Sequence, residues 1–367
     1  MTSRERVLAA IRHQMPDRVP MDFGGTAMSQ ANPEFLRQMR LKLGLKLPSD
    51  RDDNGSWVDE AIQQYLGTDL RFVPLNPPLA VLKDIDPSAH SKALEVKEQR
   101  QAAPKDIKTT AVKHDFVLAG KSYDEIKAIA PNPPQPPKYL DWIISRAKSC
   151  HESGYATTFW VSSGFFEIGC ARRGYDQFAM DLLCEQDIVK AIFDRLLVEK
   201  LSQIESVIKP LANHIDIFCF GDDFGMQNAP FMSPQTFDEI IKPYFDQHYG
   251  AVHKAAPGSF LFHHSCGSVY RLLDSFIDMG VDILNPIQPQ AAEMEPERLK
   301  AKGGRLCFHG GIDLQELLPF GRPEEVRSEV ERQKKVLGDG GGYICAPAHS
   351  LPEDVPVENI LAMFGKF

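Results

Sequence analysis

The chain predicts an α/β fold, a single (β/α)8 barrel carrying additional helices at its N-terminus. Three observations lead there. Short apolar strand candidates recur along the chain and alternate with amphipathic helical stretches, the signature of parallel strands joined by right-handed crossovers. Composition stays even through 367 residues, so one large barrel spanning 1–367 accounts for the length without a second domain. Residues capable of chemistry fall at or just beyond the C-terminal ends of the strand candidates, where a barrel gathers them at one mouth.

The elements follow in order. Thr2 and Glu5 have capping-box spacing ahead of Val7, Leu8 and Ile11, which repeat at helical intervals. In "DRVPMDFGG", Val19 to Phe23 reads as a strand and Gly24-Gly25 as a turn that permits either an unusual backbone angle or close approach to a ligand. Helical patterning covers about residues 33 to 66, a decoration ahead of the main barrel that extends to about residue 65. "LRFVPL" and "TTAVKHDFVL" are strand candidates, and "PNPPQPPK" (131–138) is a stiff exposed connector. Then come "YATTFWV", a helix near 176–205, "HIDIFCF", "GSFLFH", "GVDILNP", "GRLCFHGG" and "GYICAP", with "PEEVRSEVERQKKVLG" as an intervening helix.

Bulk properties exclude several functions. A formal net charge of -9 provides no electrostatic footprint for nucleic acid or anionic lipid. No apolar run is long enough to span a bilayer, and "MTSRERVLAAIRHQ" lacks an export-signal core, so a cytoplasmic location with no stable membrane insertion is expected. Seven scattered cysteines read as reduced thiols.

The chemistry concentrates in "LFHHSCGSV" and "YICAPAHS". His264 and Cys266 lie two residues apart at a strand end, and Cys345 arrives from the final strand. Two thiolates and one imidazole suit zinc and leave a fourth position for an exchangeable partner. The alternative is that these are unrelated interior residues, and no CxxC spacing decides between the two. His263 competes with His264, since one of the neighbours must face the packed side. His349 enters only if its loop doubles back, and Cys307 reads as a core thiol. Asp222 and Asp223 follow a strand and are placed to bind substrate, orient His264 or move a proton, or else to cap a helix. Glu167 is a second candidate acid or base, with Phe165, Phe166 and Tyr175 as an apolar wall or as helix packing. Gly24, Gly25, Gln227, Asn228, Asn285, Gln288 and His309 complete the candidate substrate contacts.

These motifs carry a resemblance. "SRERVLAAIRHQMPDRVPMDFGG", "GDDFGMQNAPFMSPQTFDEIIKPYF", "FHHSCGSV", "VDILNPIQ", "GGIDLQELLPFG" and "GGYICAPAHSLPEDVPVENILAMF" occur in an order that resembles the uroporphyrinogen decarboxylase superfamily. The nearest branch is its zinc-dependent methyltransferases, which include methylcobalamin:coenzyme M methyltransferases and corrinoid-linked demethylases. The resemblance implies zinc bound by His264, Cys266 and Cys345. It also implies methyl transfer between a corrinoid, either methylcobalamin or a separate corrinoid protein, and a thiol or a methoxylated or methylated small molecule.

Porphyrinogen decarboxylation is the nearest alternative, but the early arginine-rich stretch of true decarboxylases is absent. Arg37 and Arg40 instead sit on a helical pattern as an exposed face. A noncatalytic corrinoid-recognition or structural-zinc module is the remaining alternative. The chain lacks the Asp-x-His-x-x-Gly pattern of a base-off cobalamin domain, so corrinoid is expected as a co-substrate.

Overall fold

A computed structural model describes residues 1–47, 57–102, 116–132 and 135–367. Seven parallel strands follow one another in sheet order as in sequence: β1 (Leu70–Phe72), β2 (Ala156–Ser163), β3 (Ile217–Gly221), β4 (Phe260–His264), β5 (Ile283–Ile287), β6 (Cys307–Ile312) and β7 (Tyr343–Pro347). The sheet curls into a TIM-barrel-like fold with helices outside it. Between β7 and β1 runs the stretch around Met21. Cys345 N–H donates to Pro20 O, Asp22 N–H to Cys345 O, and Asp69 N–H to Met21 O. The strand expected over Val19–Phe23 is thus a single bridge, Met21 to Cys345, because Pro20 has no N–H to extend a ladder.

Of the other strand expected early in the chain, Thr109 to Asp115 lie outside the described residues, and the following residues through Gly120 form a turn. Helices Pro33–Lys42 and Glu60–Leu66 precede β1, as the sequence pattern indicated. Arg37 is exposed and pairs with Glu34, while Arg40 is largely covered and pairs with Asp59. No described helix is long and apolar enough to cross a membrane.

Alternation along each strand sorts side chains into two cores. Leu70, Ala156, Ile217, Cys219, Phe262, Ile283, Cys307 and Ile344 point inward and form one apolar cluster. Val7 and Ile11 of the first helix, Ser3–Ile11, close that cluster from the N-terminal end of the strands. Arg4 on Asp216, and Arg6 and Arg18 on Asp69, hold the same end together. The opposite parity, including Phe218, Phe220, Leu261, Leu284, Phe308, Tyr343 and Cys345, packs outward against the helices. Two residues beyond the inward apolar layer lie Gly221, His264, Asn285 and His309. Parallel register sets Gly221 beside His264 and His264 beside Asn285.

Candidate metal centre

The alternation settles the rivalry between the two adjacent histidines. His263 faces outward, stacked 5.9 Å from Phe224 and packed on Phe276, with its Nδ1 hydrogen-bonded to Tyr249 Oη at 2.7 Å. Burial, and secondarily the neighbouring His264, depress its pKa to about 3. A histidine that titrates near 6.5 when unfolded and near 3 when folded supplies stability that is complete above pH 6.5 and is lost as pH falls toward 3. Chemical denaturation between pH 7 and pH 4 is expected to show a contribution of about 1.4 kcal/mol per pH unit below pH 6.5, removed in His263→Gln. An unchanged slope in the variant would refute this assignment.

His264 faces inward at the end of β4. Its Nδ1 bonds Asn285 Oδ1 at 2.6 Å, its Nε2 lies 3.4 Å from Cys266 Sγ, and its ring centre is 5.4 Å from that of His349. One ligand atom from each of His264, Cys266 and His349 falls within 4.8 Å of the other two. The structure therefore brings His264 and Cys266 together as expected, but with His349 in the third position.

Cys345 is a correction to the expected ligand set. Ile344 occupies the inward face of β7, so Cys345 points the other way, fully buried in the outer core beside Tyr343. His349 reaches the mouth because the chain bends after Pro347, which frees it from strand alternation.

Cys266 is held by a zipper between two loops. Asp223 Oδ1 accepts from Cys266 N at 2.8 Å, Ser265 Oγ from Phe224 N, and Met226 O from Ser268 N. Gly267, at φ 83°, turns the chain immediately after Cys266, and any Cβ there would sit 2.5 Å from Gly225 C. Gln288 Oε1 accepts from Gly267 N, so this amide fixes the loop. Gln227 donates to Gln290 O, and Asn228 is exposed.

Electrostatics at the cluster suit a cation. Burial, then Asp223 and Glu167, push the Cys266 thiol up to about 12, so without a cation beside it the sulfur stays protonated at neutral pH. Burial lowers the pKa of both His264 and His349, which keeps the imidazoles neutral with lone pairs to donate. Asp223 Oδ1 is 3.5 Å from His264 Nε2. Glu167 is raised by burial first and by Asp223 second, and its Oε2 lies close to Gly221, over which the Trp160 ring also packs.

Asp222 does not face the mouth as a free acid. Its oxygens accept from Phe166 N and Glu167 N at 2.6 Å each, capping the helix Phe165–Arg173, and burial raises its pKa despite these bonds and nearby Lys200. Phe165 and Phe166 are packed core residues, while Tyr175 is exposed. Gly24 and Gly25 form a filled turn. A Cβ on Gly24 would meet Val58 at 2.4 Å and one on Gly25 would meet Asp22 Oδ1 at 2.3 Å, so neither faces open space.

Asn285 and His309 lie beneath the cluster. Asn285 Nδ2 is 2.8 Å from His309 Nδ1, and His309 Nε2 is 2.9 Å from Asp22 Oδ2. Asp22, His349 and Trp160 are the site residues that sequence reasoning did not select. Asp22 left one signal, a carboxylate at the end of an expected strand and beside a glycine turn.

With this geometry in place, comparison with known proteins narrows the assignment. Residues 166–366, more than half of the chain, match the model of the uroporphyrinogen decarboxylase (URO-D) family. The uroporphyrinogen decarboxylase of Psychromonas ingrahamii is 20% identical over 238 residues, a match covering 62% of this chain and 63% of that protein. The Mannheimia succiniciproducens enzyme of the same name matches to the same extent, so under two thirds of each relative is represented. A methyltransferase from Methanosarcina mazei superposes over 100% of this chain and 98% of its own, with a TM-score of 0.56 at 14% identity, a likeness of fold. By its sequence match, the chain belongs to the uroporphyrinogen decarboxylase family.

Proposed function

We propose that the chain is a zinc-dependent methyltransferase. It moves a methyl group between a corrinoid, free methylcobalamin or a corrinoid protein, and a thiol or a methoxylated or methylated small molecule. The observation that carries this reading is the convergence of His264, Cys266 and His349 at the mouth with their ligand atoms within 4.8 Å of one another. Two imidazoles and a thiol fit zinc, and three protein ligands leave one of its four positions for substrate. When bound there, zinc supplies Lewis acidity, which stabilises an acceptor thiol as thiolate or polarises the oxygen of a methyl ether.

The chain's own residues do the rest. His264 and His349 donate nitrogen lone pairs. Cys266 is aimed by Asp223 and by the turn at Gly267. Glu167, raised by burial and by Asp223, holds a proton at its carboxyl for a leaving oxygen, or takes one from an acceptor thiol. Trp160, its ring centre 6.4 Å from that of His264, walls one side and excludes water.

Acidic surroundings also weigh against decarboxylation of a polycarboxylate. Asp223 flanks the cluster and would repel such a substrate, while Arg37 and Arg40 are occupied by Glu34 and Asp59.

The test is elemental analysis with X-ray absorption at the zinc edge, followed by spectroscopic assay of methylcobalamin demethylation with a panel of thiols and of methyl ethers with reduced corrinoid. Near-stoichiometric zinc with one sulfur and two imidazole ligands, plus turnover of a thiol or ether, is the expected result. Protein that stays zinc-free after metal-replete purification, with its fold intact, sinks the proposal.

A further inference from the structure

The hydrogen-bond chain that ends on His264 has a direction, and its far end sets it. A carboxylate only accepts hydrogen bonds. Asp22 Oδ1 is taken by Gly25 N–H at 2.8 Å, and Oδ2 lies 2.9 Å from His309 Nε2, so that nitrogen must carry the proton. In the neutral ring His309 Nδ1 is then an acceptor, and the Asn285 group 2.8 Å away is the amide NH2, which also lies 3.4 Å from His309 O, an atom that only accepts. This orientation turns Asn285 Oδ1 toward His264 Nδ1 at 2.6 Å, which obliges His264 to carry its proton on Nδ1. Nε2 is left with its lone pair pointing toward Cys266. Asp22, His309 and Asn285 are all essentially excluded from solvent, so water does not scramble this order.

We infer that Asp22 is a positioning residue that selects the metal-binding nitrogen of His264 through His309 and Asn285. The inference rests on the metal-site reading above and adds a residue that the mechanism does not otherwise use. Its chemical content is a reversal. In Asp22→Asn, the side-chain oxygen stays on Gly25 N–H and the new NH2 faces His309. His309 must then accept at Nε2 and donate from Nδ1, Asn285 must turn its oxygen to meet that proton, and its NH2 now faces His264. His264 shifts its proton to Nε2 and loses the lone pair that faces the cluster. A second change corrects the first. With Asn285→Asp added, both oxygens at position 285 accept, one from His309 Nδ1–H and one from His264 Nδ1–H, and the original tautomer of His264 returns.

The experiment is long-range 1H–15N NMR of the metal-free protein labelled at histidine, paired with zinc affinity from chelator competition. Wild type is expected to show His264 protonated at Nδ1. Asp22→Asn should show it protonated at Nε2, with zinc binding weakened about 10- to 100-fold, the range of outer-shell changes at metal sites. The Asp22→Asn/Asn285→Asp pair should recover both readouts, which a merely steric role for Asp22 would not produce. An Asp22→Asn protein that keeps the Nδ1 tautomer and binds zinc within about threefold of wild type overturns the inference, as does a double variant without recovery. If Asp22→Asn fails to fold, His309→Leu cuts the same chain and His309→Gln preserves its direction, and equal tautomer and affinity in those two overturn it as well. Wild type that binds no zinc but shows the expected tautomers would remove the proposed function and leave the relay standing.

Discussion

Cys266→Ser and His349→Ala are each expected to lose stoichiometric zinc and to lower methyl transfer by more than about 100-fold, beyond the range of outer-shell changes, whereas Cys345→Ala keeps both. The contrast follows from where the atoms are. Sγ of Cys266 and the imidazole of His349 belong to the cluster within 4.8 Å. Cys345 belongs to the outer core, and its pKa is raised to about 11 chiefly by burial among groups of the helix layer. Losing its sulfur leaves a small cavity, a cost of about 1 kcal/mol in stability with no effect on metal content. Zinc content and zinc-edge absorption on the three purified variants decide the matter. Retention of zinc by His349→Ala together with its loss from Cys345→Ala would restore the ligand set implied by the resemblance and refute the one read from the structure.

The second large effect is on stability. Asp222→Ala should destabilise the fold by about 1–3 kcal/mol, the cost of leaving buried donors without their acceptor. Two first-turn N–H groups, of Phe166 and Glu167, lose their acceptor. Lys200, held on Ser162 Oγ and Ser163 O and lowered to about 8 chiefly by burial, loses an opposing charge that favours its ammonium form. Lys200→Met in the Asp222→Ala background should recover part of the loss, since it removes a buried amine whose neighbouring carboxyl is gone. Equilibrium urea unfolding at pH 7 measures both variants. A loss below about 1 kcal/mol for Asp222→Ala would show that the cap does not contribute as argued. Asp222→Asn keeps one acceptor oxygen and should fall in between.

Asp222 illustrates how a strand-end position is legible while the side chain's contacts are not: of the roles open to it, helix capping is the one its hydrogen bonds support. The neighbouring Asp223 is the carboxylate that touches the cluster, through Cys266 N. Nothing local distinguishes the two. Which of them turns under the helix Phe165–Arg173 depends on where β2 delivers that helix.

Cys345 failed for a related reason. Strands buried on both faces are apolar at every position, so "YICAP" carries no alternation from which parity can be read. Only the packing of Ile344 with the inward cluster reveals that Cys345 faces the helices. In "FLFHH" the same ambiguity left His263 and His264 as rivals until Tyr249 claimed one and Asn285 the other.

Several features were determined by the sequence itself, because they depend on local pattern or on ordered motifs. These are the capping box at Thr2 and Glu5, the alternation of strands and helices, the gathering of strand ends at one mouth, and the pairing of His264 with Cys266 across a single residue. The tertiary structure alone decided which face each strand turns inward, which loop doubles back to bring His349 to that pair, and which proton His264 carries. Those outcomes depend on contacts between residues far apart in the chain, Asp22 with His309 and Asn285 with His264 among them. Hydrogen-bond direction and side-chain parity are properties of the assembled sheet and its loops, and no stretch of sequence contains both partners.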